Sequence, residues 1–148
     1  MDVRKLMSKN PACCTPATSL REVARMMVDC DCGEIPVVDS QESMRPIGVI
    51  TDRDITCRTV AEGKNPLEMT AGDCMTAPCV TIHESASIVD CAHVLKENRI
   101  RRVPVVDDEG RCCGIVSQAD IARRMDELAA EVVKQVSQPR RRGQSPPK

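Results

Sequence analysis

Ile35-Pro36-Val37-Val38-Asp39 is followed by Gly48-Val49-Ile50-Thr51-Asp52-Arg53-Asp54-Ile55, and both runs come back as Val103-Pro104-Val105-Val106-Asp107 and Gly114-Ile115-Val116-Ser117-Gln118-Ala119-Asp120-Ile121. The first run returns at an offset of 68 (104−36) and the second at 66 (114−48), so two residues drop out of the connection between them. Length changes of this kind belong to surface connections. The same register reaches outward to Met7 and Met75 and to Leu20 and Ile88, so that residues 3 to 55 return as 71 to 121. A duplication outranks every other signal in the chain, because each half needs its twin to bury a continuous core.

Each copy carries one amphipathic helix ahead of its Pro-Val-Val-Asp strand. Leu20, Val23, Ala24, Met27 and Val28 fall on one helical stripe, and Ile88, Cys91, Ala92 and Leu95 repeat it. Ser19-x-x-Glu22 and Ser87-x-x-Asp90 open these helices with capping-box spacing. A second strand, Ile47 to Thr51 or Cys113 to Ser117, runs into another helix predicted to start near Arg53 or Ala119. Weak strands are expected around Ala12 to Thr15 and Cys79 to Ile82. The chain is therefore α/β (α+β), two β-α-β-β-α repeats. Repeat 1 is placed at 1–63, a linker at 64–73, repeat 2 at 74–136 and a basic, proline-rich, disordered tail at 137–148. The last helix keeps its apolar spacing through Ile121, Met125, Leu128, Val132 and Val136, and is expected to pack on its own protein or on a second subunit.

With 148 residues, two lobes are each marginal alone and should fold against one another, with the seam as the natural ligand site. The net charge of −1 favours neither nucleic acid nor an anionic membrane. The absence of Trp, Tyr and Phe removes every recognition mode built on aromatic stacking, so a bound base must lie between aliphatic side chains. The N-terminal stretch has no long apolar run, which predicts a cytoplasmic protein without signal peptide or membrane span. Ten cysteines then read as reduced, small apolar fillers. None shows zinc-knuckle spacing, and His83 and His93 are the only histidines, so no metal site is expected. Cys13-Cys14, Cys30-x-Cys32 and Cys112-Cys113 leave a thiol redox sensor as an alternative.

Each second strand ends in a hydroxyl and an acid, Thr51-x-x-Asp54 and Ser117-x-x-Asp120. Taken once, such a pattern is an ordinary helix cap. Its functional reading is that a carboxylate held at a helix start can accept two hydrogen bonds from a ribose diol, while the helix N-terminus beside it offers N–H groups to phosphate. No Ser-His-Asp arrangement and no phosphate-cradling Walker loop is present, so catalysis finds no support.

These residues resemble the cystathionine-β-synthase (CBS) domain. Two in-register copies resemble the tandem pair called a Bateman module, and the likeness covers most of the chain, as in small stand-alone bacterial CBS-pair proteins. It implies two units packed about a pseudo-twofold axis, with two clefts that hold adenosyl nucleotides. By the motif, Asp54 and Asp120 would hold ribose hydroxyls with Thr51 and Ser117 beside them, Arg53 and Ala119 standing at the same helix starts. Arg101 and Arg102, just before the second Pro-Val-Val strand, match basic contacts to phosphate. The first copy has Gly33-Glu34 there, which repels phosphate unless Arg53 compensates, so the two sites should be unequal. Cys79, Val80 and Thr81 would line the adenine slot of the second copy, and Ala12, Cys13 and Cys14 that of the first. The function implied is a non-enzymatic sensor, a homodimer binding AMP, ADP or ATP, with no required cofactor and an unidentified protein target. A scaffold with empty clefts that docks a partner through its last helix and tail is an alternative. S-adenosylmethionine is another ligand, because an adenosyl group without phosphates suits Glu34 better.

Overall fold

A computed structural model describes residues 1–136; the sequence-predicted tail at 137–148 lies outside the described residues. The elements are β1 (Ser8–Lys9), α1 (Leu20–Cys30), β2 (Glu34–Val38), β3 (Pro46–Thr51), α2 (Asp52–Arg58), α3 (Ala71–Cys74), β4 (Ile82–His83), α4 (Ile88–Asn98), β5 (Arg102–Val106), β6 (Cys112–Ser117) and α5 (Gln118–Val136). Each repeat is built on one antiparallel hairpin. Glu34 lies opposite Thr51 and Ile35 opposite Ile50 in the first, and Arg102 opposite Ser117 and Val103 opposite Val116 in the second. Both hairpins slip register at the same place, after Val37 and after Val105.

The weak strands differ. Ile82 and His83 pair in parallel with Val105 and Val106, whereas the expected strand at Ala12 to Thr15 reduces to one bridge between Cys14 and Val37. The helices that follow the hairpins start at Asp52 and Gln118, one residue ahead of the positions read from sequence. At the amphipathic helices the caps are one-sided: the Glu22 N–H donates to the Ser19 hydroxyl at 3.2 Å and the Asp90 N–H to the Ser87 hydroxyl at 3.0 Å. These helices stop on Asp31 and Arg99, which adopt the left-handed conformation (φ 50° and 54°) where glycine is the usual occupant.

The two cores are not made of contiguous chain. Val3, from the N-terminus, is fully buried with Ile82, Cys91, Leu95, Val103, Val105 and Val116 of the second repeat, and Leu6 and Met7 pack on the same cluster. Ala71 and Cys74, with Met69 and Met75 beside them, are packed in the first core against Cys14, Leu20, Val23 and Ile35. The stretch read as a linker thus supplies core to repeat 1, and the chain start supplies core to repeat 2. Matching hydrogen bonds hold the two arms: the Val3 N–H donates to the Ala86 carbonyl at 2.9 Å and the Ala71 N–H to the Thr18 carbonyl at 2.8 Å. β1 pairs with β6 through Ser8 and Ile115, and Thr76 bridges Val49 in the equivalent place. Met7 lies over Gly114 and Met75 over Gly48. These contacts of one arm each have a pseudo-twofold mate in the other.

The outer part of α5 meets none of this. Met125, Leu128 and Val132 are 57%, 39% and 58% exposed, so among the described residues these three are uncovered.

A β-carbon at Gly48 would stand 2.8 Å from the Thr76 carbonyl oxygen, a backbone atom of the arm that cannot swing aside. Gly48→Ala is expected to lose about 1–3 kcal/mol in urea denaturation through overpacking. A loss below ~0.5 kcal/mol, the usual scatter of a neutral surface change, would show that the arm is not clamped there.

Candidate functional site: the seam between the repeats

The hairpins and arms leave a cavity of about 420 Å³ between the repeats. The second repeat contributes Arg102 from β5, Ile115 and Ser117 from β6, and Ala119, Asp120 and Arg123 from the start of α5. The first contributes Ala12, then Asp31 and Cys32 after α1, and Glu34, Ile35 and Pro36 from β2.

The Ser/Thr-x-x-Asp motifs do form complete capping boxes. The Ser117 N–H donates to Asp120 Oδ2 at 2.9 Å and the Asp120 N–H donates back to Ser117 Oγ at 3.1 Å. The Thr51 N–H donates to Asp54 Oδ2 at 3.0 Å and the Asp54 N–H to Thr51 Oγ1 at 3.0 Å. Each acid spends one oxygen on its helix. The other differs between the copies: Asp120 Oδ1 takes the guanidinium of Arg123, one turn along a free helix face, whereas Asp54 Oδ1 lies 3.8 Å from Arg58 and 3.4 Å from the Thr76 hydroxyl. Arg58 is itself tied to the Met75 carbonyl at 3.1 Å, so the arm closes over Asp54. Both acids are recessed, their side chains 13% and 17% exposed.

Of the residues expected to form the sites, the structure brings Ser117, Ala119, Asp120 and Arg102 together in one cleft. Val80 and Thr81, expected beside Asp120, do not line it. Their place is taken by Ala12 of the first repeat, because an acid at the seam faces across the pseudo-axis toward the other copy. Cys13, Ala12's neighbour, does not line it. Arg101 also lies apart, in a surface hollow of about 390 Å³ with Lys96, Arg99 and Gln118, where its carbonyl accepts the Gln118 N–H at 2.7 Å. Thr51, Arg53 and Asp54 belong to the pseudo-symmetric position and line neither hollow. Arg123 and Asp31 were not picked out from sequence. Arg123 could have been found from its i, i+3 spacing to Asp120; Asp31 needed the left-handed turn that aims the chain back at the seam.

Glu34 is the exceptional group. Its Oε2 is fully buried and has no hydrogen-bond partner. Burial pushes its carboxyl up to about 7, Arg102 pulling it back and Asp54 adding to the rise. Among the thiols, Cys13 stands out: a hydrogen bond from Cys112 of the other repeat holds it below the ordinary thiol range, against burial and Cys14. Burial pushes Cys14 up to about 11 and Cys79 to about 12. All ten cysteines are free.

A pair of β-α-β-β-α units sharing their arms, with a capped acid lining the seam, defines a tandem-repeat module. The CBS domain model matches residues 3–58 and 71–127, and the chain belongs to the CBS domain family as a CBS-pair regulatory module. Hypoxic response protein 1 of Mycobacterium tuberculosis is 34% identical over 92% of this chain and 94% of its own length. A Methanopyrus kandleri protein, MK0525, is also 34% identical over 80% of this chain, which spans only 59% of that longer protein. Among solved structures, the hypoxic response protein with two coordinated zinc ions superposes with TM-score 0.75 (33% identity, 83% of this chain, 98% of the other). CBSX2 of Arabidopsis thaliana in complex with AMP gives 0.73 (26%, 86%, 98%). The CBS pair of MJ0100 with 5′-methylthioadenosine and S-adenosylmethionine gives 0.76 (29%, 86%, 98%). Among the described residues of this chain, no three His, Cys, Asp or Glu side chains converge as metal ligands. No described helix is long and apolar enough to cross a membrane.

Glu34 also makes stability depend on pH. Its folded carboxyl, near 7, lies above the ordinary 4.5, so between these values the folded chain holds a proton that the unfolded chain releases. Its contribution is most favourable below about pH 4.5 and is lost as pH rises through 7. Glu34→Gln, neutral throughout, should therefore gain on the wild type in thermal unfolding as pH goes from 5 to 8. A difference between the two proteins that does not move with pH would contradict the burial of this carboxylate.

Proposed function

We propose that this protein is a non-enzymatic sensor that binds an adenine nucleotide, AMP, ADP or ATP, in the cleft at Asp120. The observation that carries this reading is the recessed Asp120 carboxylate lining a cavity of about 420 Å³, one oxygen fixed by the cap of α5 and the other held only by the exposed Arg123. That volume lies in the usual range for a small-molecule site, roughly 300–1,000 Å³. A ribose diol donates two hydrogen bonds to such an oxygen once it displaces Arg123. Ala12, Ile35, Pro36 and Ile115 supply the aliphatic walls that a base needs in a chain without aromatic residues. Arg102 and the N-terminus of α5 supply the positive charge for a phosphate. The complexes of CBSX2 with AMP and of MJ0100 with adenosyl compounds support the same ligand class.

Asp54 would hold a second, weaker site with Thr51, Arg53, Val80 and Thr81 about it, because Arg58 and Thr76 already occupy its free oxygen. Sensing is read out by assembly: two chains meet through the exposed Met125, Leu128 and Val132 of α5, and a cytoplasmic protein target reads the nucleotide-bound form.

Calorimetry with AMP should show binding to the wild type and about a ten- to hundredfold loss in Asp120→Asn, the equivalent of one charge-assisted hydrogen bond. In that variant the amide oxygen can still accept the Ser117 N–H, so the cap of α5 persists while the cleft receives a donor in place of an acceptor. No heat with AMP, ADP or ATP in ligand-free protein overturns the sensor reading. Light scattering tests the assembly: Met125→Asp should reduce a dimer to the 16.2 kDa chain mass, and a monomeric wild type would rule the dimer out.

A further inference from the structure

We infer that Glu34 sets ligand choice in the Asp120 cleft: its unpaired carboxylate favours an adenosine compound whose 5′ end carries no negative charge, and admits a phosphate there only on taking up a proton. The inference rests on the reading of this cleft as an adenosine site.

The charges that line the cavity are three carboxylates, Asp31, Glu34 and Asp120, against two guanidinium groups, Arg102 and Arg123. Arg123 stands beside Asp120 at the ribose end of the cleft, which leaves Arg102 as the cation whose field reaches Glu34. Arg102 and Glu34 are twin positions of the two repeats, each first in its hairpin and opposite a capping hydroxyl residue, Ser117 or Thr51. The pseudo-axis sets them near each other, so a phosphate that reaches Arg102 also meets Glu34. With Glu34 ionised the lining carries one net negative charge; with Glu34 protonated it is neutral.

The groups facing Glu34 do not cancel its charge. Arg102 on β5 attracts it, while Asp54 on α2 repels it and the Cys79 thiol ahead of β4 feels its field. Asp52, at the start of α2, stands against Gly33 next in the chain, and Asp31, Asp120 and Arg123 share the cavity. Glu34 Oε2 finds no donor among them. A ligand with a donor or a cation in that position satisfies the oxygen. A phosphate leaves it both unpaired and repelled, a cost that a proton removes.

The test measures binding of AMP and of uncharged 5′-methylthioadenosine to the wild type and to Glu34→Gln at pH 6 and pH 8. The wild type should prefer 5′-methylthioadenosine at pH 8, and its relative affinity for AMP should rise about tenfold at pH 6, the worth of one nearby like charge partly screened. Glu34→Gln should bind AMP at pH 8 as the wild type does at pH 6. The AMP phosphate itself titrates near pH ~6, but equally for both proteins, so the comparison between them isolates Glu34. If both ligands bind and the two proteins show the same preference at both pH values, the inference is overturned. If neither ligand binds at all, the sensor reading itself fails. Should Glu34→Gln not fold, calorimetry of the wild type at pH 7.5 in two buffers of different ionisation enthalpy decides. Proton uptake with AMP supports the inference, since a phosphate against arginine would release protons, and zero uptake or release overturns it.

Discussion

Two methionine thioethers lying on two glycines hold this molecule together: Met7 on Gly114 and Met75 on Gly48. Glycine is required because the arm's backbone or side chain fills the space where a β-carbon would stand. Through these contacts each repeat completes the other's core, with Val3 buried in the second and Ala71 and Cys74 in the first. A half-length lobe buries so little apolar surface that it is marginal alone. Crossing the arms makes the two lobes one cooperative unit, and the seam exists because the lobes cannot separate.

The seam's chemistry follows from the same crossing. A capped acid at the head of a helix is in itself structural, and Thr51–Asp54 and Ser117–Asp120 are both complete caps. What distinguishes them is the second oxygen. The Thr76 hydroxyl and Arg58, anchored on Met75, close over Asp54, while Asp120 lines an open cavity with the exposed Arg123 as its side-chain partner. Two copies of one motif thus become one stabilising cap and one candidate ligand contact, and the arms make the difference.

Much of this could be read from the chain. The hairpins are legible in the Pro-Val-Val-Asp and glycine-led runs, whose apolar β-branched residues permit little but strand, and α1 and α4 in their apolar stripes. Ser117, Ala119, Asp120 and Arg102 are legible because they occupy motif positions flanking those strands. The arms were not. Val3, Met7, Met69 and Met75 show no period, and their partners lie far along the chain, so local pattern carries no sign of them. The same long-range exchange explains why Ala12 stands beside Asp120 where Val80 and Thr81 were expected. Glu34 was visible as an oddity where its twin is an arginine, but its missing partner appears only when both repeats are assembled.

The contrast between positions 34 and 102 also bears on how the chain chooses what to fold against. Two identical repeats could pair like with like between separate chains just as well as within one. Here a union of two first halves would press Glu34 against Glu34, and one of two second halves Arg102 against Arg102. Only the unlike halves bring opposite signs to the axis. Divergence at a single duplicated position thus favours the union of unlike halves over that of like ones.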